Sequence, residues 1–517
     1  MPRRVYGLAR MMYYPSKEAV AHARREDPEM TPALPEMMIF SHLCNPQVVT
    51  GAEKALLRLA LELRRFFRCT LVVPQDGVIA AQARAAGMET VVLNIPLSVG
   101  MYLSSPRVRE EIGHLQRRPE WRHLLGLLRR RRPAWVLANT CVHPLPALAA
   151  KRLGIPVIWC LNETMAETPH RHLATGIIAA HADRIVALSP STLAAFTPEA
   201  LVGRAAVLPP CIDRSELNPA MWPAARAELR SRLGWDEGVR AVGYLAATIY
   251  GNKGLRELVQ AFLFVAARNP AARLLVAGSP ADPVYYEACR KMATNAGIGD
   301  RIAWLPYSER IDLIVPAVDV VAVPSLIPEG FGMTALEGLC FEKPVVAFAS
   351  GGLMDILTAT GNAEFLVPVG DAATLAVKLE ALLADDARRI EIGRQGAAMA
   401  EAVFGPAAYR ARLEAFVAGL PAVPPASPET AATAGRTRRR RRIRKRRGRM
   451  RSRGNRKWRG GPRGRRGARR RAAGRRSGRR GGKRSASRGR RRGRPIRSGV
   501  RRAPGRRGRT RKDRARR

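Results

Sequence analysis

Glu329-Gly330-Phe331-Gly332-Met333-Thr334-Ala335-Leu336-Glu337 sets two carboxylates around seven residues, with two glycines at the turn. The stretch follows an apolar run, 318–324, that reads as a buried strand, and it opens into a helical pattern. Glycines at such a turn let backbone N–H groups come close to a ligand. The helix that follows presents its positive end to an anion. A loop of this kind suits a diphosphate, and the flanking carboxylates suit sugar hydroxyls.

Outward from this stretch, short apolar runs alternate with amphipathic ones. In the first half, strands are expected at 37–41, 69–73, 90–93, 135–138, 157–160 and 184–188. Helical patterns separate them, such as 51–66 with Leu56, Leu57, Leu59, Ala60 and Leu63 on one side. A Pro-rich linker, 208–223, precedes a second alternation, with strands at 241–245, 273–277, 302–305, 318–323, 345–349 and 364–367. Strand–helix alternation predicts parallel sheets covered by helices on both faces. The fold class is therefore α/β, with two Rossmann-like doubly wound domains. The expected divisions are an irregular lead over 1–35, a first domain over 36–215, a second over 216–406, a last helix over 407–420, and a linker and tail over 421–517. Ligands in open α/β sheets bind beyond the carboxyl ends of strands, where 324–337 lies.

The wording E-G-F-G-x-x-A-L-E, with Pro324-Ser325 before it and Glu342-Lys343-Pro344-Val345-Val346-Ala347 after it, resembles the donor-site signature of family-four retaining glycosyltransferases. The resemblance covers roughly 37–420 and implies the GT-B architecture, in which two such domains face across a cleft and a terminal helix crosses back to the first. It implies that Glu329 orients the donor sugar and stabilises developing positive charge. Glu337 would accept hydrogen bonds from the nucleotide ribose. Gly330, Phe331, Gly332, Met333 and Thr334 would form the wall against the donor. No cofactor is implied, because the nucleotide-diphosphate-sugar is the substrate. No D-x-D pair is present to hold a metal.

Lys253-Gly254 follows the first strand of the second half and opens a helix with Leu255, Leu258, Val259 and Phe262 on its apolar face. Lysine and glycine at a helix start meet a phosphate with charge and N–H donors together. The family has a lysine here, preceded by Gly-Arg. In this chain Gly243 is followed by Tyr244, so the arginine is missing from its motif position. Gly51-Ala52-Glu53 opens the first long helix, and the family has a similar G-A-E, with Gly51 facing the diphosphate. Asn162-Glu163 ends a strand where the family often has His-Glu. Asparagine hydrogen-bonds a hydroxyl but does not titrate. His143 is a candidate substitute. Gly351-Gly352 would lie near the donor sugar, and Asp355 stands where the family commonly has glutamate.

Charge is unevenly spread. Of 90 Lys+Arg and 42 Asp+Glu, 44 basic residues and one acid fall in 436–517, which leaves a mildly basic body. The tail has no Leu, Phe or Tyr and cannot build a core, so it is expected to be disordered. As a polycation it would bind nucleic acid or anionic lipid non-specifically. Arginine, glycine and alanine bias is equally what a GC-rich gene gives when read in a shifted frame. The stretch 117–132 joins a basic cluster to Trp121, Leu124, Leu125 and Leu128 on one helical face. It reads either as a surface helix for an anionic membrane or as a helix packed on the sheet.

Seven cysteines without C-x-x-C spacing suggest neither a disulfide framework nor a zinc site. No apolar run reaches spanning length, and 1–12 lacks a signal-peptide core. A cytoplasmic protein is expected, either free or peripheral on the inner face of the membrane. The leading expectation is a retaining transferase acting on a glycan or lipid-linked acceptor in cell-envelope synthesis. The alternatives are a non-catalytic GT-B module with a polyanion-binding tail and a sugar-nucleotide epimerase.

Overall fold

The computed structural model describes residues 34–47 and 49–421. The lead and the Arg-rich tail, with their expected disorder and polyanion binding, lie outside the described residues.

The first domain is built on β1 (Glu36–Phe40), β2 (Arg68–Val73), β3 (Glu89–Val92), β4 (Trp135–Asn139), β5 (Val157–Leu161), β6 (Arg184–Ala187) and β7 (Ala205–Val207). Their order is β3-β2-β1-β4-β5-β6-β7, and every pairing is parallel. The central strands are buried at every position, as sheets covered on both faces require. β7 was not expected. Its three residues, Ala-Ala-Val, carry too little apolar signal to mark a strand.

The second sheet comprises β8 (Arg240–Ile249), β9 (Ala272–Pro280), β10 (Ile302–Leu305), β11 (Val320–Val323), β12 (Val345–Phe348) and β13 (Leu366–Val367), in the order β10-β9-β8-β11-β12-β13. β8 and β9 run beyond the expected limits. After an irregularity at Ala246/Thr248 they stay paired out to Ile249 and Pro280. The strand expected at 364–367 is largely a 3-10 turn, Ala363–Phe365, and only two residues pair. The stretch expected as linker also holds structure. The turns Arg214–Leu217 and Pro219–Met221 lead into the helix Trp222–Arg232.

In each sheet the strand order reverses once, between β1 and β4 in the first and between β8 and β11 in the second. Crevices open beyond the carboxyl ends of strands at such reversals. β11 delivers Glu329, and β8 delivers Lys253.

The last helix, Pro406–Ala418, packs on the first domain. Tyr409 and Leu413 join a core with Cys160, Val186 and Leu208. Arg410 pairs with Glu62, and Glu414 with Arg65, both from around the helix Gly51–Leu63.

The basic helix is Pro119–Arg131. Trp121, Leu124, Leu125 and Leu128 are buried in the first domain's core, and Arg131 binds Glu36 and Glu89. The packed reading therefore replaces the surface reading, because the apolar stripe is not offered to a membrane. No helix among the described residues is long and apolar enough to cross a membrane. All seven cysteines are free, and six are buried.

Candidate functional site

The helix Gly51–Leu63 starts with a reciprocal cap. Thr50 accepts from the Glu53 N–H, and the Glu53 carboxylate accepts from the Thr50 N–H at 2.9 Å. Glu53 also accepts from the Asn45 N–H at 2.8 Å, so this glutamate fixes the loop after β1. Gly51, the first helical residue, is thereby aimed across the cleft at Met333 of the helix Met333–Cys340. Two helix N-termini from two domains face one another, and both favour negative charge between them.

The cleft between them has a volume of about 300 Å³. Gly51, Asn162, Lys253, Glu329, Gly330, Phe331, Gly332, Met333 and Thr334 all line it, with Thr50, Tyr244 and Ser325. Residues 111 positions apart in the first domain and 81 apart in the second thus share one wall-to-wall space. Lys253 is its sole cation among the described residues. Its Nζ lies 2.6 Å from Glu329 Oε1, which also accepts from Ser325 Oγ at 2.7 Å. The Glu329 backbone is equally fixed. Its carbonyl accepts from the Gly352 N–H at 2.8 Å, and it bridges Gly351. The Gly351-Gly352 pair therefore holds Glu329 in place through the backbone.

Gly330 brings the domains into contact. A Cβ there would lie 1.7 Å from the Asn162 carbonyl oxygen, so only glycine allows this approach. Asn162 donates from Nδ2 to Asn139 Oδ1 at 3.1 Å, which turns it across the end of the first sheet. The Phe331 ring is turned the other way and stacks edge-on against Phe404 at 5.5 Å. Phe331 lines the cleft while its ring belongs to the core.

Two expected residues stand elsewhere. Gly254 does not line the cleft. It takes a left-handed conformation (φ 70°) where a Cβ would meet the Pro324 carbonyl at 1.7 Å, so it serves the packing of Lys253's turn on the end of β11. Glu337 lines an adjoining hollow with Lys54, Tyr307, Ser308 and Glu309. Burial pushes its carboxyl up to about 7, against the pull of Lys54. A half-buried carboxylate in that state gains from hydroxyl donors brought by a ligand.

His143 is not a substitute for the missing histidine. It is buried outside the cleft, both ring nitrogens lack partners, and desolvation lowers its pKa to about 3. Tyr244 occupies the motif's arginine position as a buried side chain whose hydroxyl has no partner. The sequence reading missed Thr164 and Ser189, whose hydroxyls donate to the Glu329 carbonyl at 3.4 Å and the Gly330 carbonyl at 2.7 Å. Both follow the ends of first-domain strands, a position signal that carries no chemistry of its own.

Two doubly wound domains closing anion-seeking helix ends over a Lys–Glu pair define a protein of the GT-B class. Residues 49–216 match glycosyltransferase family 4, and residues 225–399 match glycosyl transferases group 1. The chain belongs to these glycosyltransferases, with one match on each domain. It is similar to the D-inositol 3-phosphate glycosyltransferase of Xylanimonas cellulosilytica, 34% identical over 279 residues, covering 50% of this chain and 65% of that protein. The Mycobacteroides abscessus protein of the same name is 31% identical over 239 residues, covering 43% and 52%. The chain thus spans about half to two thirds of the length of these relatives. Anabaena HepE, solved in complex with UDP and glucose, shares the fold at 20% identity and TM-score 0.61, over 75% of this chain and 100% of that one.

Proposed function

We propose that the chain is a retaining glycosyltransferase that moves a sugar from a nucleoside-diphosphate sugar to a hydroxyl acceptor. The observation that carries this reading is the Lys253–Glu329 pair, set between two helix N-termini with Glu337 in the adjoining hollow.

Each group has a place in such a transfer. The diphosphate lies between Gly51 and Gly332–Thr334, where N–H groups and Lys253 neutralise it. Preorganised charge of this kind is worth most where the leaving group gains negative charge. Glu337 takes the ribose hydroxyls. Glu329 takes sugar hydroxyls and faces the positive charge that grows at the anomeric carbon. It is a poor nucleophile, because one of its oxygens already receives both an ammonium and a hydroxyl proton. The bond from the anomeric carbon to the diphosphate oxygen breaks, the acceptor oxygen bonds on the same face, and the leaving phosphate takes the acceptor's proton. Asn162 contributes hydrogen bonds only. The scheme uses no metal or cofactor, since Lys253 and the helix ends supply the positive field.

The acceptor is assigned as a cell-envelope glycan or lipid-linked sugar, and the names of the curated relatives add phosphorylated cyclitols to that set. The test is nucleoside diphosphate release from UDP-, GDP- and ADP-sugars, beside Glu329→Gln and Lys253→Ala, with and without D-inositol 3-phosphate. Release from one donor, lost in both variants, supports the transferase. Nucleotide binding with no turnover for any donor favours a non-catalytic module, the reading to which the Tyr244 and Asn162 departures lend weight.

A further inference from the structure

β6 ends at Ala187, and the turn after it carries Ser189 against the second domain. Ser189 is fully buried, and its hydroxyl donates to the Gly330 carbonyl at 2.7 Å. Two residues on, the Ser191 N–H donates to Asp355 Oδ2 at 3.0 Å. Asp355 lies in the first turn of the helix Gly352–Ala359, and the N–H that starts this helix donates to the Glu329 carbonyl at 2.8 Å. The first domain therefore reaches the Glu329–Gly330 backbone by three routes. Two are direct, from Ser189 and, at 3.4 Å, from Thr164, and the third runs through Asp355 and Gly352.

The donors Ser189 and Ser191 belong to one domain, and the acceptors Gly330 and Asp355 to the other. These bonds exist only while the domains are shut. Burial raises the Asp355 pKa, and the Ser191 and Ser189 donors oppose that rise. A carboxylate so placed relies on the other domain for its partners, and an opened cleft would return it to water.

We propose that Ser189 and Asp355 are positioning residues that couple closure of the cleft to the placement of the Glu329 carboxylate. Shutting the domains fixes the backbone of Glu329 and Gly330, and opening them releases it. The catalytic consequence rests on the transferase reading, whereas the latch itself does not. A simple adhesive contact would alter nucleotide affinity and leave the turnover number alone. A positioning contact lowers the turnover number.

The experiment uses the full chain and its Ser189→Ala, Asp355→Ala and Asp355→Glu variants. Hydrogen exchange is followed in peptides covering 327–334 and, as controls, in β8 and β11. Faster exchange by about tenfold or more in 327–334 is expected in both alanine variants, with the controls unchanged, since each loses one hydrogen bond to the segment or its support. Asp355→Glu is expected to keep the protection. Unchanged exchange in 327–334 would overturn the latch. If Asp355→Ala loses protection in the controls as well, Ser189→Ala, the smaller change, decides. Turnover of UDP-, GDP- and ADP-glucose is measured in parallel. With whichever donor the wild type consumes, kcat is expected to fall about tenfold at unchanged KM. Equal kcat would overturn the positioning role. If the wild type consumes none of the three, the exchange data alone decide the latch.

Discussion

Lys253 and Glu329, 76 residues apart, share one hydrogen bond of 2.6 Å at the point where the second sheet reverses its strand order. A bound donor would give each a further partner. Lys253→Ala is expected to lower donor turnover by roughly 30- to 100-fold, the loss typical of a hydrogen bond to a charged group. Glu329→Gln keeps the shape and removes the charge. It is expected to cost at least as much in kcat while nucleotide affinity stays near that of the wild type. Steady-state kinetics beside calorimetric binding of the nucleotide would check both.

Glu337 makes nucleotide binding pH-dependent. Its carboxyl is pushed up to about 7 by burial. Ribose hydroxyls bond the ionised form best, so a bound nucleotide pulls the pKa down, and binding below pH 7 releases a proton. Affinity is therefore expected to rise as pH climbs from 5.5 to about 7 and to level off above 8. Glu337→Gln should flatten the profile. Nucleotide titrations across that range read the effect directly.

Two glycines with equally tight surroundings should behave differently. A Cβ at Gly254 collides within the second domain and must also adopt φ 70°, so Gly254→Ala is expected to destabilise by about 2 kcal/mol or more. A Cβ at Gly330 collides with Asn162 across the cleft. Gly330→Ala is expected to hold the domains apart, with the melting temperature nearly unchanged and turnover lost. Thermal unfolding beside activity separates the two cases.

His143 is buried and His42 half-buried, with pKa values lowered to about 3 and about 4, in both cases chiefly by desolvation. The unfolded chain binds protons at these residues near 6.5, so between there and the lowered values it holds more protons than the folded one. Stability therefore falls as pH falls, by roughly 2 kcal/mol per histidine at pH 5. His143→Leu is expected to remove about half of that decline and to leave the pH profile of turnover unchanged. Urea unfolding at pH 5 and 7.5 provides the check.

The alternation of apolar runs was enough to read twelve of the strands, because strands buried on both faces appear as short continuous apolar stretches. β7 escaped for want of apolar side chains, and the ribbon beyond Leu245 escaped because Ala246, Ala247 and Thr248 break the apolar run before the buried Ile249. At the site, Glu329, Lys253 and Glu337 were legible because charge beside glycine at a strand end is a local pattern. Ser189, Thr164 and Ser191 were not. Their partners come from another domain more than 130 residues away, and nothing local marks a serine as a bridge. Gly254 is misplaced by its neighbours in sequence, because its backbone turn makes room for a carbonyl rather than a ligand, whereas Phe331 lines the cleft although its ring packs on Phe404.

The return of the helix Pro406–Ala418 to the first domain has a mechanical consequence. The polypeptide passes between the domains twice, once after β7 and once at Gly405. A single tether would let the second domain swivel, twist and slide. Two tethers act like the two pins of a door hinge, leaving one easy rotation about the line that joins them. Any opening of the cleft would carry Glu329 and Gly330 along that arc.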